Sequence, residues 1–283
     1  MAPKLVWLVV NARSGSNSEA AVDQLVATLT ENGLAPGRTV SFPEDSLPTR
    51  GELDAAGVSL LVVYTGDGTL NAAIMAAAGW NGTVLVLPGG TKNLLSIRLH
   101  GNAPSDEIVR RIGDGAMRPV RVSVARCEKG DALAGLLVGP GTAWVDVREA
   151  MRDGDIAGMA RNASAAIGET TGGAMVRMTD PVRGRAGGYP MIEITPSHRG
   201  LQADAYYAEG AGELLLQSLA LLRRNFREGP HTLLGLFDEF TLENVDGKPL
   251  AVLIDGEPAQ LPPRARFTVA ECDVDLLATW HGY

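Results

Sequence analysis

Four short apolar segments alternate with helical stretches over the first 121 residues, and this alternation constrains the fold more than any other feature of the sequence. Apolar runs bounded by turn residues are typical of strands buried on both faces, and amphipathic segments between them are typical of covering helices. The pattern predicts a mostly parallel α/β sheet covered by helices. The predicted strands are 5–10, 39–42, 60–64 and 83–87, and the predicted helices are 18–31, 70–78, 94–99 and 105–112.

Short apolar runs separated by Gly, Pro and Asp turns dominate the rest of the chain, which is therefore expected to be β-rich. The predicted strands are 122–125, 132–138, 175–178, 191–195, 203–207, 233–236, 240–243, 251–254, 266–269 and 273–277. Two helices, 145–152 and 213–226, are expected to interrupt them. The change of period predicts two domains with a boundary near residues 121–123.

Composition narrows the class of protein. The 283 residues are 45% hydrophobic and carry a net charge of -8, which is ordinary for a globular protein and argues against a nucleic-acid partner. No segment approaches the roughly 20 continuous apolar residues of a membrane span, so we expect no transmembrane segment. Cys127 and Cys272 lie far apart and form no disulfide framework, which favours a cytoplasmic location.

Three glycine-bearing loops each follow a predicted strand and precede a predicted helix. Small residues let backbone N–H groups approach a phosphate, and a helix N-terminus adds favourable partial charge. Because the carboxyl ends of parallel strands meet at one sheet edge, the loops are predicted to converge on one polyphosphate. The first loop comprises Asn11, Ala12, Arg13, Ser14, Gly15 and Ser16, the second Thr65, Gly66, Asp67, Gly68, Thr69, Leu70 and Asn71, and the third Pro88, Gly89, Gly90, Thr91, Lys92 and Asn93.

Charged side chains in these loops have more than one interpretation. Lys92 and Arg13 are candidates to neutralise phosphate charge, and either could equally be a solvated surface residue. Asp67 would repel a phosphate unless it binds Mg²⁺ or accepts a proton from an attacking hydroxyl. The structural alternative is that Asp67 caps the following helix. No Gly-x-x-x-x-Gly-Lys-Ser/Thr segment occurs, so a P-loop mechanism is not supported.

A second acidic motif, Asp255-Gly256-Glu257, follows the apolar run 250–254. Asp-Gly at this place is typical of a hairpin turn. Alternatively, carboxylates at positions i and i+2 of a strand end project to the same side, which would suit a general base and its positioning or metal partner. Spacing alone leaves both interpretations open.

Taken together, the three loops and the Asp-Gly-Glu motif resemble the diacylglycerol kinase catalytic family, which includes bacterial lipid kinases, sphingosine kinases and ceramide kinases. The resemblance implies an α/β nucleotide-binding domain over residues 1–122 and a β-rich, sandwich-like lipid-substrate domain over residues 123–277. Residues 278–283 are expected to pack back on the first domain. The active site is expected in the cleft between the domains.

By the same resemblance, the chain is an ATP- and Mg²⁺-dependent kinase that phosphorylates a lipid hydroxyl at a membrane surface, at the inner face for a cytoplasmic protein. The acceptor would resemble diacylglycerol, a sphingoid base or ceramide. Glu257 and Asp255 become catalytic candidates, and Asp67 becomes a catalytic and magnesium-binding one. The implied ATP contacts are Asn11, Ala12, Arg13, Ser14, Gly15, Ser41, Gly66, Asp67, Gly68, Thr69, Leu70, Asn71, Thr91 and Lys92.

The sequence departs from the family pattern at a few positions. Thr65 stands where a glycine is usual, Ala12 where a proline is usual, and Leu94 where an aspartate is frequent. An Asp-Gly-Leu-Leu-Asp-like segment that forms a structural magnesium site in some members is reduced here to residues 199–203, so we predict no such metal.

Two rival functions remain. One is a kinase with a soluble acceptor, such as an NAD kinase or a phosphofructokinase, and the other is a non-catalytic nucleotide- or lipid-binding module. The late Asp-Gly-Glu motif and the β-rich second half favour a lipid acceptor. The sequence leaves the oligomeric state open, a homodimer included.

Overall fold

The computed structural model describes residues 5–11, 18–90, 93–139, 175–206 and 231–279. The chain divides into two compact units, residues 1–122 with 271–283, and residues 123–270. In the first unit, strands alternate with helices up to residue 100, and a further helix and a strand follow. In chain order they are β1 (Val6–Asn11), α1 (Glu19–Glu31), β2 (Pro36–Phe42), α2 (Arg50–Ala56), β3 (Leu60–Thr65), α3 (Asp67–Ala76), β4 (Thr83–Pro88), α4 (Leu94–His100), α5 (Ser105–Gly113) and β5 (Arg118–Val120).

The second unit is built from strands in the residues that the structure describes. They are β6 (Ser123–Cys127), β7 (Gly130–Ala132), β8 (Leu136–Val138), β9 (Val176–Asp180), β10 (Val182–Arg183), β11 (Met191–Ser197), β12 (Gly200–Tyr206), β13 (His231–Phe237), β14 (Glu239–Asn244), β15 (Leu250–Ile254), β16 (Glu257–Leu261) and β17 (Arg264–Glu271). The predicted helices 145–152 and 213–226 lie outside the described residues.

A mostly parallel sheet forms the centre of the first unit, in the order β2-β1-β3-β4, followed by the last strand β18 (Asp275–Ala278) and then β5. β1 pairs in parallel with both β2 and β3, and β3 pairs in parallel with β4. Val6, Leu8 and Val10 pack with α1 and α5 residues in one buried cluster. The alternate residues of β1, Trp7 and Val9, are buried on the other face. The sheet is thus covered on both sides, which explains the continuous apolar runs.

Two six-stranded antiparallel sheets form the second unit, in the orders β10-β9-β14-β17-β6-β7 and β13-β12-β11-β8-β15-β16. A single buried cluster draws side chains from both sheets, among them Phe240 and Phe267 from one and Ile192 and Val252 from the other. Two sheets sharing one core define a sandwich. The predicted fold class, an α/β domain with a mostly parallel sheet and a β-rich sandwich-like region, is confirmed.

The structure differs from the predicted elements in a few places. Strand 273–277 was assigned to the β-rich half, but β18 pairs in parallel with β4 and antiparallel with β5 in the first sheet. The predicted strand 132–138 is two strands, β7 and β8, and α2 was not predicted. An apolar run marks a strand but does not identify its partner, because every sheet edge offers the same backbone groups.

Candidate active site

Three strand ends bring the predicted phosphate loops to one edge of the first sheet. β1, β3 and β4 are parallel neighbours, so Asn11, Thr65 and Pro88 end adjacent strands at the same edge. The described parts of the three loops therefore begin side by side. Ala12, Arg13, Ser14 and Gly15, together with Thr91 and Lys92, lie outside the described residues.

The second loop is shorter than the sequence suggested, because α3 begins at Asp67 and not near Leu70. Gly66 is the N-cap, has an extended backbone and makes no side-chain capping bond. The first amides of a helix have no partner within it, so a helix starting here directs N–H groups toward the sheet edge. Glycine destabilises a helix interior, but Gly68 lies in the first turn, where the loss of stability is small. Because glycines usually indicate a loop, the sequence did not predict that the helix starts at Asp67.

Side-chain hydrogen bonds connect the three segments. Asn11 Nδ2 at the end of β1 donates to Thr69 Oγ1 in α3 at 2.8 Å. The backbone N–H of Leu94, the first residue of α4, donates to Asp67 Oδ1 at 3.0 Å. Asp67 therefore caps α4, the helix after the third loop, and not α3, the helix that it starts. The carboxylate and the amide face of α3 are held in fixed positions relative to each other.

Backbone contact between the second and third loops requires glycine. A Cβ atom on Gly89 would lie 2.6 Å from the Thr65 nitrogen, and one on Gly90 would lie 2.6 Å from Gly66 Cα. Both distances are far below van der Waals contact, and the atoms met are backbone, which cannot move aside without shifting a strand. The Gly-Gly pair thus allows the ends of β3 and β4 to approach closely.

Asn93 is a residue of this edge that the sequence argument did not single out. It has a left-handed backbone (φ 52°), and its amide forms two bonds with Gly90: Gly90 N–H donates to Oδ1 at 2.7 Å, and Nδ2 donates to the Gly90 carbonyl at 2.8 Å. Asparagine tolerates this conformation better than most residues. An Asn between a Gly-Gly turn and a helix start is the signal that could have identified it.

Ser41 lies at the neighbouring strand end, on β2, opposite Val10 of β1. Its backbone N–H donates to Asp45 Oδ2 at 2.9 Å. Ser41 is half-buried and stands on the flank of the edge, one strand away from Asn11.

The Asp-Gly-Glu motif forms a hairpin in the second unit. β15 and β16 pair antiparallel, with Ile254 opposite Glu257, and Asp255 and Gly256 turn the chain with φ of 50° and 96°. Positive φ at both central residues is the requirement of a type I′ turn, for which Asp-Gly is a preferred sequence. Glu257 is exposed as the first residue of β16.

The Asp255 carboxylate is bound by the backbone of a distant segment. It accepts hydrogen bonds from the N–H groups of Leu133, Ala134 and Gly135 at 2.8, 2.8 and 2.9 Å. The Asp255 N–H donates in return to the Gly135 carbonyl at 3.0 Å. Charge-assisted bonds to backbone amides are among the stronger ones in proteins, so Asp255 fastens the hairpin to the segment between β7 and β8.

One carboxylate, that of Asp67, lies at this edge of the first sheet, and hard cations prefer oxygen ligands. Asp67 supplies a carboxylate at the sheet edge, and Mg²⁺ is commonly held by one or two carboxylates with substrate phosphates and waters completing its coordination. In the described ranges, no group of three or more His, Cys, Asp or Glu side chains could hold a metal ion by itself. The single carboxylate of Asp67 would fit a magnesium ion whose other ligands are phosphate oxygens and waters.

The first part of the chain matches a known family of proteins. Residues 5–125 match the model of the diacylglycerol kinase catalytic domain family. No curated protein matches the chain. Among the helices of the described segments, none is both long and apolar enough to cross a membrane.

Solved structures share the fold over nearly the full length. One is described as "a putative diacylglycerol kinase from Bacillus anthracis str. Sterne"; it is 16% identical, with a TM-score of 0.61 and 97% of each chain covered. A second, a diacylglycerol kinase from the same organism, is 15% identical, with a TM-score of 0.59 and 97% of each chain covered. At these identities the likeness concerns the fold. The family resemblance indicated by the motifs is confirmed over part of the chain, because residues 5–125 match the diacylglycerol kinase catalytic domain.

Proposed function

We propose that this protein is an ATP-dependent lipid kinase that transfers the γ-phosphate of ATP to a lipid hydroxyl. The observation that carries the proposal is the arrangement at the ends of β1, β3 and β4. There a helix N-terminus, a carboxylate and a glycine-lined backbone contact are held together by the Asn11–Thr69 and Leu94–Asp67 hydrogen bonds. Backbone amides of this kind favour the negative charge of a polyphosphate.

The nucleotide would be bound by the three loops. The contacts proposed are those of Asn11, of residues 66–71 and of Ser41 on the flank, together with Ala12, Arg13, Ser14, Gly15, Thr91 and Lys92 outside the described residues. A Mg²⁺ ion bound with ATP would offset charge on the phosphates. Asp67 would contact that ion, since it supplies the carboxylate at this edge and Leu94 N–H fixes its orientation.

Phosphoryl transfer forms a bond between the acceptor oxygen and the γ-phosphorus and breaks the bond from that phosphorus to the oxygen bridging to the β-phosphate. ADP leaves, and the acceptor hydroxyl loses its proton. We assign that proton to Glu257. Its side chain is exposed at the hairpin, whereas three backbone amides already hold the Asp255 carboxylate in place. Asp255 is then the positioning residue that fixes the turn from which Glu257 projects.

The acceptor would be diacylglycerol-like or a sphingoid or ceramide lipid, and the enzyme would meet it as a peripheral protein at a membrane surface. This part rests on the family. An acceptor embedded in a bilayer brings its hydroxyl to the lipid–water interface, where a peripheral protein would reach it.

The test is incubation of the full chain with γ-labelled ATP, Mg²⁺ and a panel of lipids, followed by separation of the labelled products. The panel holds diacylglycerol, monoacylglycerol, phosphatidylglycerol, a sphingoid base and ceramide, with NAD and a sugar phosphate as soluble competitors. Label in one lipid supports the proposal. Label in NAD or the sugar phosphate supports a kinase with a soluble acceptor, and ATP binding without any transfer supports a non-catalytic module; either result overturns the proposal.

A further inference from the structure

Two Asn-Gly pairs occur in the sequence, Asn32-Gly33 and Asn81-Gly82. Asparagine followed by glycine loses ammonia readily, because glycine has no side chain to hinder attack by its backbone nitrogen and adopts a wide range of backbone conformations. Both pairs lie in the first unit. Asn32 is the C-cap of α1, and Asn81 lies in the bend between α3 and β4. Their surroundings decide which of the two can react.

The surroundings of Asn32-Gly33 hold the reacting groups in place. Asn32 Nδ2 donates to the Thr28 carbonyl at 2.8 Å, and the Gly33 N–H donates to the Thr30 carbonyl at 3.1 Å. A Cβ atom on Gly113 would lie 2.7 Å from Asn32 Oδ1, so the amide also packs closely against α5. Attack of the glycine nitrogen on the side-chain carbon requires the side chain to rotate and the nitrogen to leave its hydrogen bond. Both movements are restrained at this pair.

The Asn81-Gly82 pair lacks these restraints. Asn81 is exposed, and Gly82 is half-buried. Within the ranges that the structure describes, neither the Asn81 side chain nor the Gly82 N–H forms a hydrogen bond. The side-chain carbon and the backbone nitrogen can therefore approach each other without first breaking a hydrogen bond to the described part of the chain.

Packing of Trp80 keeps position 82 a glycine. A Cβ atom on Gly82 would lie 2.0 Å from Trp80 Cζ2 and 2.3 Å from Trp80 Cη2. The Trp80 side chain is only 2% exposed, so its ring cannot move aside without losing close packing. Every larger residue that would hinder the attack is thereby disfavoured at this position. The contact that buries Trp80 thus leaves an unhindered nitrogen beside an exposed asparagine.

We propose that Asn81 is a site of spontaneous deamidation, at which asparagine becomes aspartate or isoaspartate. The Gly82 nitrogen loses its proton and attacks Asn81 Cγ; a C–N bond forms, the bond from Cγ to Nδ2 breaks, and the side-chain nitrogen leaves as ammonia. Water then opens the cyclic imide at either of its carbonyl carbons. Opening at Cγ gives aspartate, and opening at the main-chain carbonyl gives isoaspartate. Water is the only co-reactant, and the reaction does not depend on the kinase activity.

The two products have different consequences for the fold. Aspartate keeps the main chain and adds a negative charge at an exposed position. Isoaspartate continues the chain through Cγ, which adds a main-chain carbon just before Gly82 and its contact with Trp80. The next residue, Thr83, begins β4, and its N–H donates to the Ser59 carbonyl at 3.2 Å. Isoaspartate should therefore lower the melting temperature, whereas aspartate should leave it nearly unchanged.

The test follows ammonia loss in the folded full chain at mildly alkaline pH, by peptide mapping with mass spectrometry. Labelled methyl transfer by an isoaspartyl carboxyl methyltransferase distinguishes isoaspartate from aspartate. Conversion at Asn81 should be faster than at Asn32 by about tenfold or more, because the Asn32 pair must first break two hydrogen bonds. Equal rates at the two sites, or no conversion at Asn81, would overturn the proposal.

Unfolding the chain in denaturant tests whether the fold selects the site. The restraints on Asn32-Gly33 then disappear, so its rate should rise toward that of Asn81-Gly82. A rate difference that persists in denaturant would show that neighbouring residues in the sequence select the site, and would contradict the structural assignment.

Two variants identify the groups responsible. Asn81→Gln keeps the amide but would require a larger ring, so ammonia loss at this position should fall to background. Gly82→Ala should lower the melting temperature of fresh protein, because its Cβ meets the buried Trp80 ring. Prolonged incubation should lower the melting temperature of the parent chain and leave that of Asn81→Gln unchanged. An equal loss in both chains would assign the damage to another site, and undiminished stability of Gly82→Ala would remove Trp80 from the argument.

Discussion

Asp67 and Asp255 are each followed by a glycine close to the end of a buried strand, but the structure binds the two carboxylates differently. Asp67 begins a helix at the edge of a parallel sheet and accepts a bond from Leu94 N–H. Asp255 lies in a hairpin turn and accepts bonds from three consecutive backbone amides, while Glu257 beside it is exposed. Two similar short motifs therefore differ in their surroundings: Asp67 lies at the sheet edge where we propose that the nucleotide binds, and Asp255 holds a turn.

The largest effect expected from this comparison is on phosphoryl transfer. Asp67→Asn and Glu257→Gln should each reduce the transfer rate by about 10³-fold, because one removes the carboxylate proposed to bind Mg²⁺ and the other removes the proposed proton acceptor. Both changes keep the size of the side chain, so the circular dichroism spectrum and melting temperature should stay near those of the parent chain. Initial rates with labelled ATP and the accepted lipid provide the measurement. Normal turnover of Glu257→Gln would remove that residue from the role of base.

The second prediction concerns the stability of the hairpin. Asp255→Ala leaves three amides without their acceptor and should lower the free energy of unfolding by about 2–4 kcal/mol, measured by denaturant titration. Asp255→Asn retains one acceptor oxygen and should lose less. Glu257→Ala changes the exposed neighbour and serves as the control, with stability expected to stay within about 0.5 kcal/mol. If Asp255→Ala is as stable as the parent, the carboxylate does not anchor the turn.

A third prediction uses a buried histidine of the first unit. Burial lowers the pKa of His100 from 6.5 to about 4, and its Nδ1 lies 3.0 Å from Thr279 Oγ1. Between those pH values the unfolded chain binds a proton that the folded chain excludes, so stability falls as the pH drops from 6.5 toward 4. The loss reaches about 2–3 kcal/mol near pH 4.

Denaturant titrations at several pH values measure this dependence. His100→Gln should flatten the slope between pH 6.5 and 4, although its stability at pH 7 is expected to be lower because a packed ring is lost. His198→Gln, at an exposed turn position, should leave the slope as it is. A slope unchanged by His100→Gln would show that other groups control the acid sensitivity.

The smallest expected effect is at Asn93, which fixes the third loop through its two bonds to Gly90. Asn93→Ala loses both bonds and places a Cβ-bearing residue without a polar side chain in a left-handed conformation, so the KM for ATP should rise about tenfold with a smaller change in kcat. Asn93→Gly keeps the backbone conformation accessible and isolates the loss of the two bonds. An unchanged KM in both variants would show that the loop holds its shape without Asn93.

The local sequence pattern predicted much of the first sheet, because its strands are uninterrupted apolar runs. The bounds of β1, β3 and β4 differ from the predicted ones by no more than one residue at each end. Runs such as 60–64 have no polar position, so they do not fit an element with one solvent-exposed face. Helix α2 escaped prediction because it is seven residues long and buries only Leu53, which leaves no periodic stripe. The start of α3 was obscured by two glycines with poor helix propensity.

For the candidate site, the sequence by itself determined the shared edge, because strand-ending motifs in a parallel sheet open on the same side. The strand order then made Asn11, Thr65 and Pro88 the ends of adjacent strands. Only the tertiary structure decided what the side chains do there. Asp255 meets amides 120 to 122 positions away, and Asp67 meets Leu94 across 27 positions. The same holds for β18, which joins the first sheet late in the chain. Local periodicity follows from the geometry of one element, whereas a partner distant in sequence is set by how whole elements pack.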